Sequence, residues 1–334
     1  MIGWGKFTAL FAALLFGASA SQAVPNSADI AAYRALVEQD ARLASIGYRL
    51  VLANAPFCAI KERNPGWVVH DVAQYPDVEV AKAAFGFAKP IQIAALVKNG
   101  PAEAAGMKVN DGVNALDDAA LPGPENSIEK TGYGRMASFK ALIAARMSQK
   151  TTLPLKLTRQ GGTVDVILSA PLVCASDFQI DPSAQFDAGA QGNMVSITSA
   201  FAEYAADEAE LAAIVAHELA HNILQHRARL DAAKVNRGIG RSFGKSRKAI
   251  LATEIEADQL SVWLLANAGY DPVAAITFWQ RYRRERGGQL FSDGTHLNWS
   301  KRIAIMQTQI DRMLEAPAQD GQRKPPLLAA TASQ

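Results

Sequence analysis

The stretch from Val215 to His226, VAHELAHNILQH, holds three of the chain's five histidines, with a glutamate directly after the first. On an α-helix, residues four apart stand one above the other. His217 and His221 therefore aim two imidazoles at one point, the arrangement that two nitrogen ligands of a Zn2+ ion require. Glu218, one position further round, lies close to such an ion without being forced onto it. There it can take a proton from metal-activated water and later return one to a leaving amine. This is the H-E-x-x-H pattern. Ile214, Val215, Leu219, Ile223 and Leu224 surround these polar residues with apolar ones. A helix of that composition is expected to be buried, where histidines and a glutamate need partners or a metal. The plainer alternative is a solvated amphipathic helix that matches by accident. His226 falls off the ligand stripe and reads as a surface histidine.

A catalytic zinc takes three protein ligands and keeps one position open, so a third ligand must come from elsewhere. The segment TEIEAD, Thr253 to Asp258, offers carboxylates: Glu254 and Asp258 are four apart and share a helix face, while Glu256 points elsewhere. Taken alone, Glu254 fits a ligand and an ordinary surface glutamate equally well.

The order HELAHN, then ExEAD, then GYDP, then TH followed by Arg302 resembles the HtpX and CAAX-prenyl-endopeptidase family of zinc metallopeptidases, especially its soluble periplasmic and mitochondrial branch. The resemblance runs from Gly192 to Ile303. It implies a gluzincin-like catalytic domain with one Zn2+ per chain, held by His217, His221 and Glu254. It implies that Asp258 hydrogen-bonds a ligand histidine and fixes its tautomer, that Asn222 supports the site from behind, and that Arg302 pairs with an acidic residue near it. It gives His296 a role as a removable fourth ligand or as a group that steadies the tetrahedral intermediate. Leu297 stands where relatives often have proline, which loosens that loop. GNMVSIT resembles the family's edge strand beside the zinc helix, so substrate backbone is expected to pair with Val195 to Ile197.

These residues need elements to hold them. DEAELAAIVAHELAHNILQHRARL reads as one long helix and TEIEADQLSVWLLANAG as another, ended by Gly269. Asp271 with Pro272 opens a third. GNMVSITSAFAEYA reads as a strand turning into a helix. Near the N-terminus, Ile30, Tyr33, Leu36, Val37 and Leu43 recur at helical spacing, with Asn26 or Ser27 as the cap. From Tyr75 to Leu172 short apolar runs alternate with Gly, Pro and Asp turns, a mostly β texture with one helix near Ser138 to Met147. Within it KNGPAEAAGMKVNDGVNALDD resembles the SPAxxAGLxxGDxIxxING segment of bacterial PDZ domains from Gly100 to Asp117. Asn110 replaces a glycine and the final NG is DD. AFGFAKPIQI, Ala84 to Ile93, stands where the carboxylate-binding loop and its strand are expected. Such a fold accepts an extended peptide by strand addition; an unrelated β-rich module is the alternative.

The first residues read as a secretory signal: Lys6, an apolar run from Phe7 to Phe16, and small residues Ser21 and Ala23 at a cleavage site. The alternative, a membrane anchor, is disfavoured because the run is short for a bilayer. Cys58 and Cys174, the two cysteines, are expected to be bridged in an exported protein; in a reducing compartment they would be small buried residues. They closely flank the β-rich stretch, which marks it as an insertion. The residues after Asp231 and before Glu254 carry six basic side chains, three glycines and no acid. That composition suits a flexible solvated loop, or a lid or patch that meets anionic lipid or acidic protein.

The expected architecture is α+β: a mainly helical zincin-type metallopeptidase domain with a small edge sheet, plus an inserted PDZ-like domain. The expected limits are 1–23 signal peptide, 24–74 N-terminal helix and first part of the peptidase, 75–172 PDZ-like, 173–315 zinc domain and 316–334 disordered tail. A net charge of +2 with sparse aromatics gives no sign of nucleic-acid binding. The expected function is an exported zinc endopeptidase acting on polypeptides in envelope quality control, in association with envelope proteins or a membrane surface. The alternative is a periplasmic chaperone or adaptor with a latent or structural zinc site.

Overall fold

The computed structural model describes residues 25–117, 119–121, 123, 133–236, 244–286, 299–316 and 321–331. The expected signal peptide and His296 lie outside them. Among the described residues no helix is long and apolar enough to cross a membrane.

Helix α1 (Ser27–Ala53) starts at Asn26, whose Oδ1 accepts from Ala28 N at 3.1 Å. Its second half is the buried one, through Leu43, Ile46, Leu50 and Val51. Gly47 faces Phe178 so closely that a Cβ there would lie 2.4 Å from the ring. The fully buried Asn54 ends the helix, and its amide donates to the carbonyls of Leu50 and Leu264, tying it to the C-terminal helical body. Cys58 follows and is bridged to Cys174 with 5.4 Å between Cα atoms.

The chain then passes through β1 (Lys61–Arg63) into the inserted module and returns through β8 (Leu172–Cys174), which pairs antiparallel with β1. Between them lie β2 (Trp67–Asp71), α2 (Val78–Phe85), β3 (Ile91–Leu96), α3 (Pro101–Ala104), β4 (Gly112–Leu116), β5 (Ala119–Ala120), α4 (Gly134–Gln149), β6 (Thr152–Arg159) and β7 (Gly162–Ser169). The strands form an antiparallel sheet in the order β2-β3-β4-β6-β7, with β5 on β4. On β6, Leu153, Leu155 and Leu157 are buried while Thr152, Pro154 and Lys156 are exposed, the two-residue alternation of a sheet with one dry face. Phe139, Ile143 and Met147 of α4 pack on that face, in a core separate from that of the helical body.

Two features differ from expectation. The sheet already includes Trp67–Asp71, ahead of the expected boundary at Tyr75. And β3, the strand after the Ala84 to Pro90 loop, has β2 on one side and β4 on the other. It pairs with β2 along Ile91–Leu96 and with β4 at Gln92–Gly112, so it lies inside the sheet and not at its edge.

The mainly helical body resumes with β9 (Asp177–Asp181), β10 (Ala188–Ala190) and β11 (Met194–Thr198), then α5 (Ser199–Tyr204), α6 (Glu208–Ile223), α7 (His226–Ala232), α8 (Gly244–Asn267), α9 (Val273–Arg286), α10 (Trp299–Glu315) and α11 (Pro326–Thr331). The sheet order is β10-β11-β9. This corrects the edge-strand expectation: Val195 and Ile197 are fully buried in the central strand, antiparallel to β10 and parallel to β9. The expected single long helix is two, because Gln225 takes a left-handed φ of 52° and turns the chain between α6 and α7. The expected disordered tail is also corrected. Leu328 joins the core of the helical body, Gln322 donates to Ala53 O and the Arg323 amide donates to Asn267 Oδ1.

Candidate metal centre

Helix α6 begins at Asp207, whose carboxylate accepts from Glu210 N. It runs through the core with Leu211 to Ala216 and Leu219 buried. Its dry surroundings exist because α8, α9, α1 and the three-stranded sheet all pack against it. His217 and His221 project from this helix toward Glu254 on α8. His217 Nε2 lies 3.3 Å from His221 Nε2 and 3.3 Å from Glu254 Oε2, and His221 Nε2 lies 3.5 Å from Glu254 Oε1. Ligand atoms at 2.0–2.1 Å from a tetrahedral zinc stand about 3.3–3.4 Å from one another. Two imidazole nitrogens 3.3 Å apart, with one oxygen of the Glu254 carboxylate near each of them, fit a Zn2+ ion, and these are the residues that would hold it.

Behind His217 a buried chain runs through Asp258 to Arg302. Its Nδ1 is 3.1 Å from Asp258 Oδ1. Arg302 on α10 donates to the same carboxylate from Nε at 2.8 Å and Nη2 at 2.6 Å. Both side chains are essentially inaccessible. The guanidinium lies over the rings of Trp279, at 4.7 Å, and Trp299, at 5.3 Å, a placement that suits a desolvated cation. Burial works against the charge on Asp258, but Arg302 and His217 outweigh it and hold the carboxyl below its usual range. Burial likewise works against protonating His217, yet Asp258 and Glu254 raise its pKa to about 10 when no metal competes for the nitrogen. His221 lacks such a carboxylate at Nδ1, and burial pushes it down to about 3.

Glu218 stays partly exposed beside the ligands. Burial of its carboxyl, offset by His217 and reinforced by Glu254, pushes its pKa up to about 7. That places a proton acceptor near neutrality.

The structure places other expected residues differently. Asn222 does not face the metal position. Its Oδ1 accepts from Gly192 N and its amide donates to Ser176 Oγ, each at 3.0 Å, so it fastens α6 to the turns flanking β9 and β11. Val195 and Ile197 lie within the sheet, whose end strands are β10 and β9; of these, β10 packs against α6. His226 is not a surface residue but 2% exposed. Its Nδ1 lies 2.9 Å from His221 Nδ1 and its Nε2 lies 2.9 Å from Glu256 Oε2. Arg229 donates to both oxygens of Glu256, at 2.6 and 3.2 Å. The sequence signal was the histidine five residues after His221, but it pointed inward only once the helix was seen to break.

Residues 177–240 match the model of peptidase family M48, and this part of the chain is similar to that family of metallopeptidases. The matched span holds β9 to α7, with His217, Glu218 and His221; Glu254, Asp258 and Arg302 lie beyond it. No curated protein matches the chain.

Proposed function

We propose, from the similarity to M48 metallopeptidases, that this chain is a zinc-dependent endopeptidase acting on polypeptides. The observation that carries this reading is the convergence of the His217 and His221 Nε2 atoms with the Glu254 carboxylate, with Glu218 next to His217 on the same helix. Bound there, zinc would supply Lewis acidity toward a peptide carbonyl and toward water. His217, His221 and Glu254 would hold the ion, and Asp258 would orient His217. Glu218 accepts a proton from the attacking water and then donates it to the departing amine. His296 is proposed to approach the same site.

The protein is exported and acts in envelope protein quality control. The signal-like first 23 residues and the Cys58–Cys174 bridge support an oxidising compartment. The inserted module recruits substrate. A peptide captured by strand addition would extend β2 or β7, the end strands of its sheet.

The test is digestion of an unfolded protein by the purified chain, with and without a chelator, beside the Glu218→Gln variant. Chelator-sensitive fragments are expected from the native chain, and none from a variant that still binds zinc. Undiminished cleavage by that variant would exclude the mechanism. Client binding without fragments would instead favour a chaperone or adaptor.

A further inference from the structure

We propose that His226, Glu256 and Arg229 form a positioning relay that fixes the tautomer and ring orientation of His221, as Asp258 and Arg302 do for His217. The inference rests on the zinc reading above and deepens it.

The hydrogen assignment follows from what each group can donate. Arg229 contacts both oxygens of Glu256, and a guanidinium can only donate. Glu256 is therefore an acceptor, and at 2.9 Å from its Oε2 the His226 Nε2 must be the donor. A neutral imidazole with its proton on Nε2 carries a lone pair on Nδ1. The 2.9 Å contact between the two Nδ1 atoms needs one hydrogen, so His221 supplies it. That leaves the lone pair of His221 on Nε2, the atom that converges with His217 Nε2 and Glu254. The reverse polarity would set a proton on His221 Nε2, aimed at the other two ligand atoms. The relay thus selects the only neutral tautomer of His221 able to bind a metal there.

Tertiary structure makes this arrangement possible in two ways. On an unbroken helix His226 would sit about 140° round from His221 and could not lie alongside it. The left-handed Gln225 redirects the chain, so the first residue of α7 folds back onto the ring. The acceptor comes from α8, two positions after the ligand Glu254, so one helix supplies both the third ligand and the base of the relay.

The experiment uses the full chain with inorganic zinc as probe and competition against a chromophoric chelator as the readout. Co2+ substitution and its visible absorption report coordination geometry, and circular dichroism reports folding. His226→Phe keeps a ring but removes the acceptor, whereas His226→Asn returns an acceptor near the Nδ1 position. Loss of an outer partner of a ligand histidine typically costs about 10–100-fold in metal affinity. A loss of that size with an altered Co2+ spectrum is expected for His226→Phe, and substantial recovery for His226→Asn. Arg229→Met, at a half-exposed position, is expected to weaken zinc in the same direction by less. If His226→Phe does not fold, the Asn and Met variants decide the matter. Native zinc affinity in His226→Phe, or equal losses in the Phe and Asn variants, overturns the relay. Failure of the native chain to bind zinc would overturn the functional reading itself.

Discussion

Glu218 illustrates how the site sets its own pH range. Its carboxyl is pushed from an ordinary 4.5 to about 7, mainly by burial, and a bound divalent cation would bring it part of the way back. In its proposed role as a base it works only when ionised. The acid limb of kcat/KM against pH is therefore expected above 4.5 and no higher than about 7, with activity falling as pH drops through it. An acid limb at or below the ordinary carboxyl value would show that Glu218 is not the group titrating. Arg302 is a structural counterpart. It and Asp258 are buried together, and removing one partner of a buried ion pair typically costs about 3–5 kcal/mol, because the other charge is left uncompensated. Arg302→Met should lose about that much stability in a denaturant titration of metal-free protein. A change within error of zero would mean that Asp258 is solvated in solution.

At the scale of elements, α1 and α6 owe their positions to close fitting rather than propensity. Gly47 lets α1 approach β9 until its backbone meets the ring of Phe178. Valine there overfills that contact, and overpacking costs about 1–3 kcal/mol. Gly47→Val is expected to lower the denaturation midpoint, although glycine is the poorer helix former. The β1–β8 ribbon and its disulfide join the module to the body. The bridge spans a sequence separation of 116 residues, and in the chain-entropy model closing a loop of that size stabilises by about 4–5 kcal/mol. A Cys58→Ala, Cys174→Ala double variant should lose a comparable amount, measured by urea unfolding. No change on reduction would show that the ribbon alone defines the junction.

Across the whole molecule, the two cores meet where α1, β1, β9 and α4 come together. Lys140 on α4 reaches Asp177 on β9 at 3.0 Å. Burial raises Asp40 to about 6 and Glu62 to about 7, above ordinary values of 3.8 and 4.5. A carboxyl with a raised folded pKa resists ionisation, so its penalty is absent below the ordinary value and grows as pH rises through the folded one. Junction stability should therefore decline between about pH 4 and 7. Asp40→Asn retains the acceptor used by Ile180 N; with Glu62→Gln it should stabilise the protein at pH 8, and the gain should vanish near pH 4. Equal effects at both pH values would refute this assignment.

Local spacing was enough to nominate His217, Glu218, His221 and the Glu254–Asp258 pair, because helical periodicity alone decides which side chains share a face. It also located the β-rich module between two cysteines, since strand alternation and turn residues are short-range signals. What spacing could not supply was direction after a break, or neighbours across a sheet. One left-handed residue at Gln225 turned a presumed surface histidine inward, and pairing on both sides made Val195 to Ile197 a central strand. Buried contacts of Leu328 and Gln322 held a compositionally plain tail in place. Each of these depends on backbone hydrogen bonds and packing between segments far apart in the chain, and those distances exist only in the folded protein.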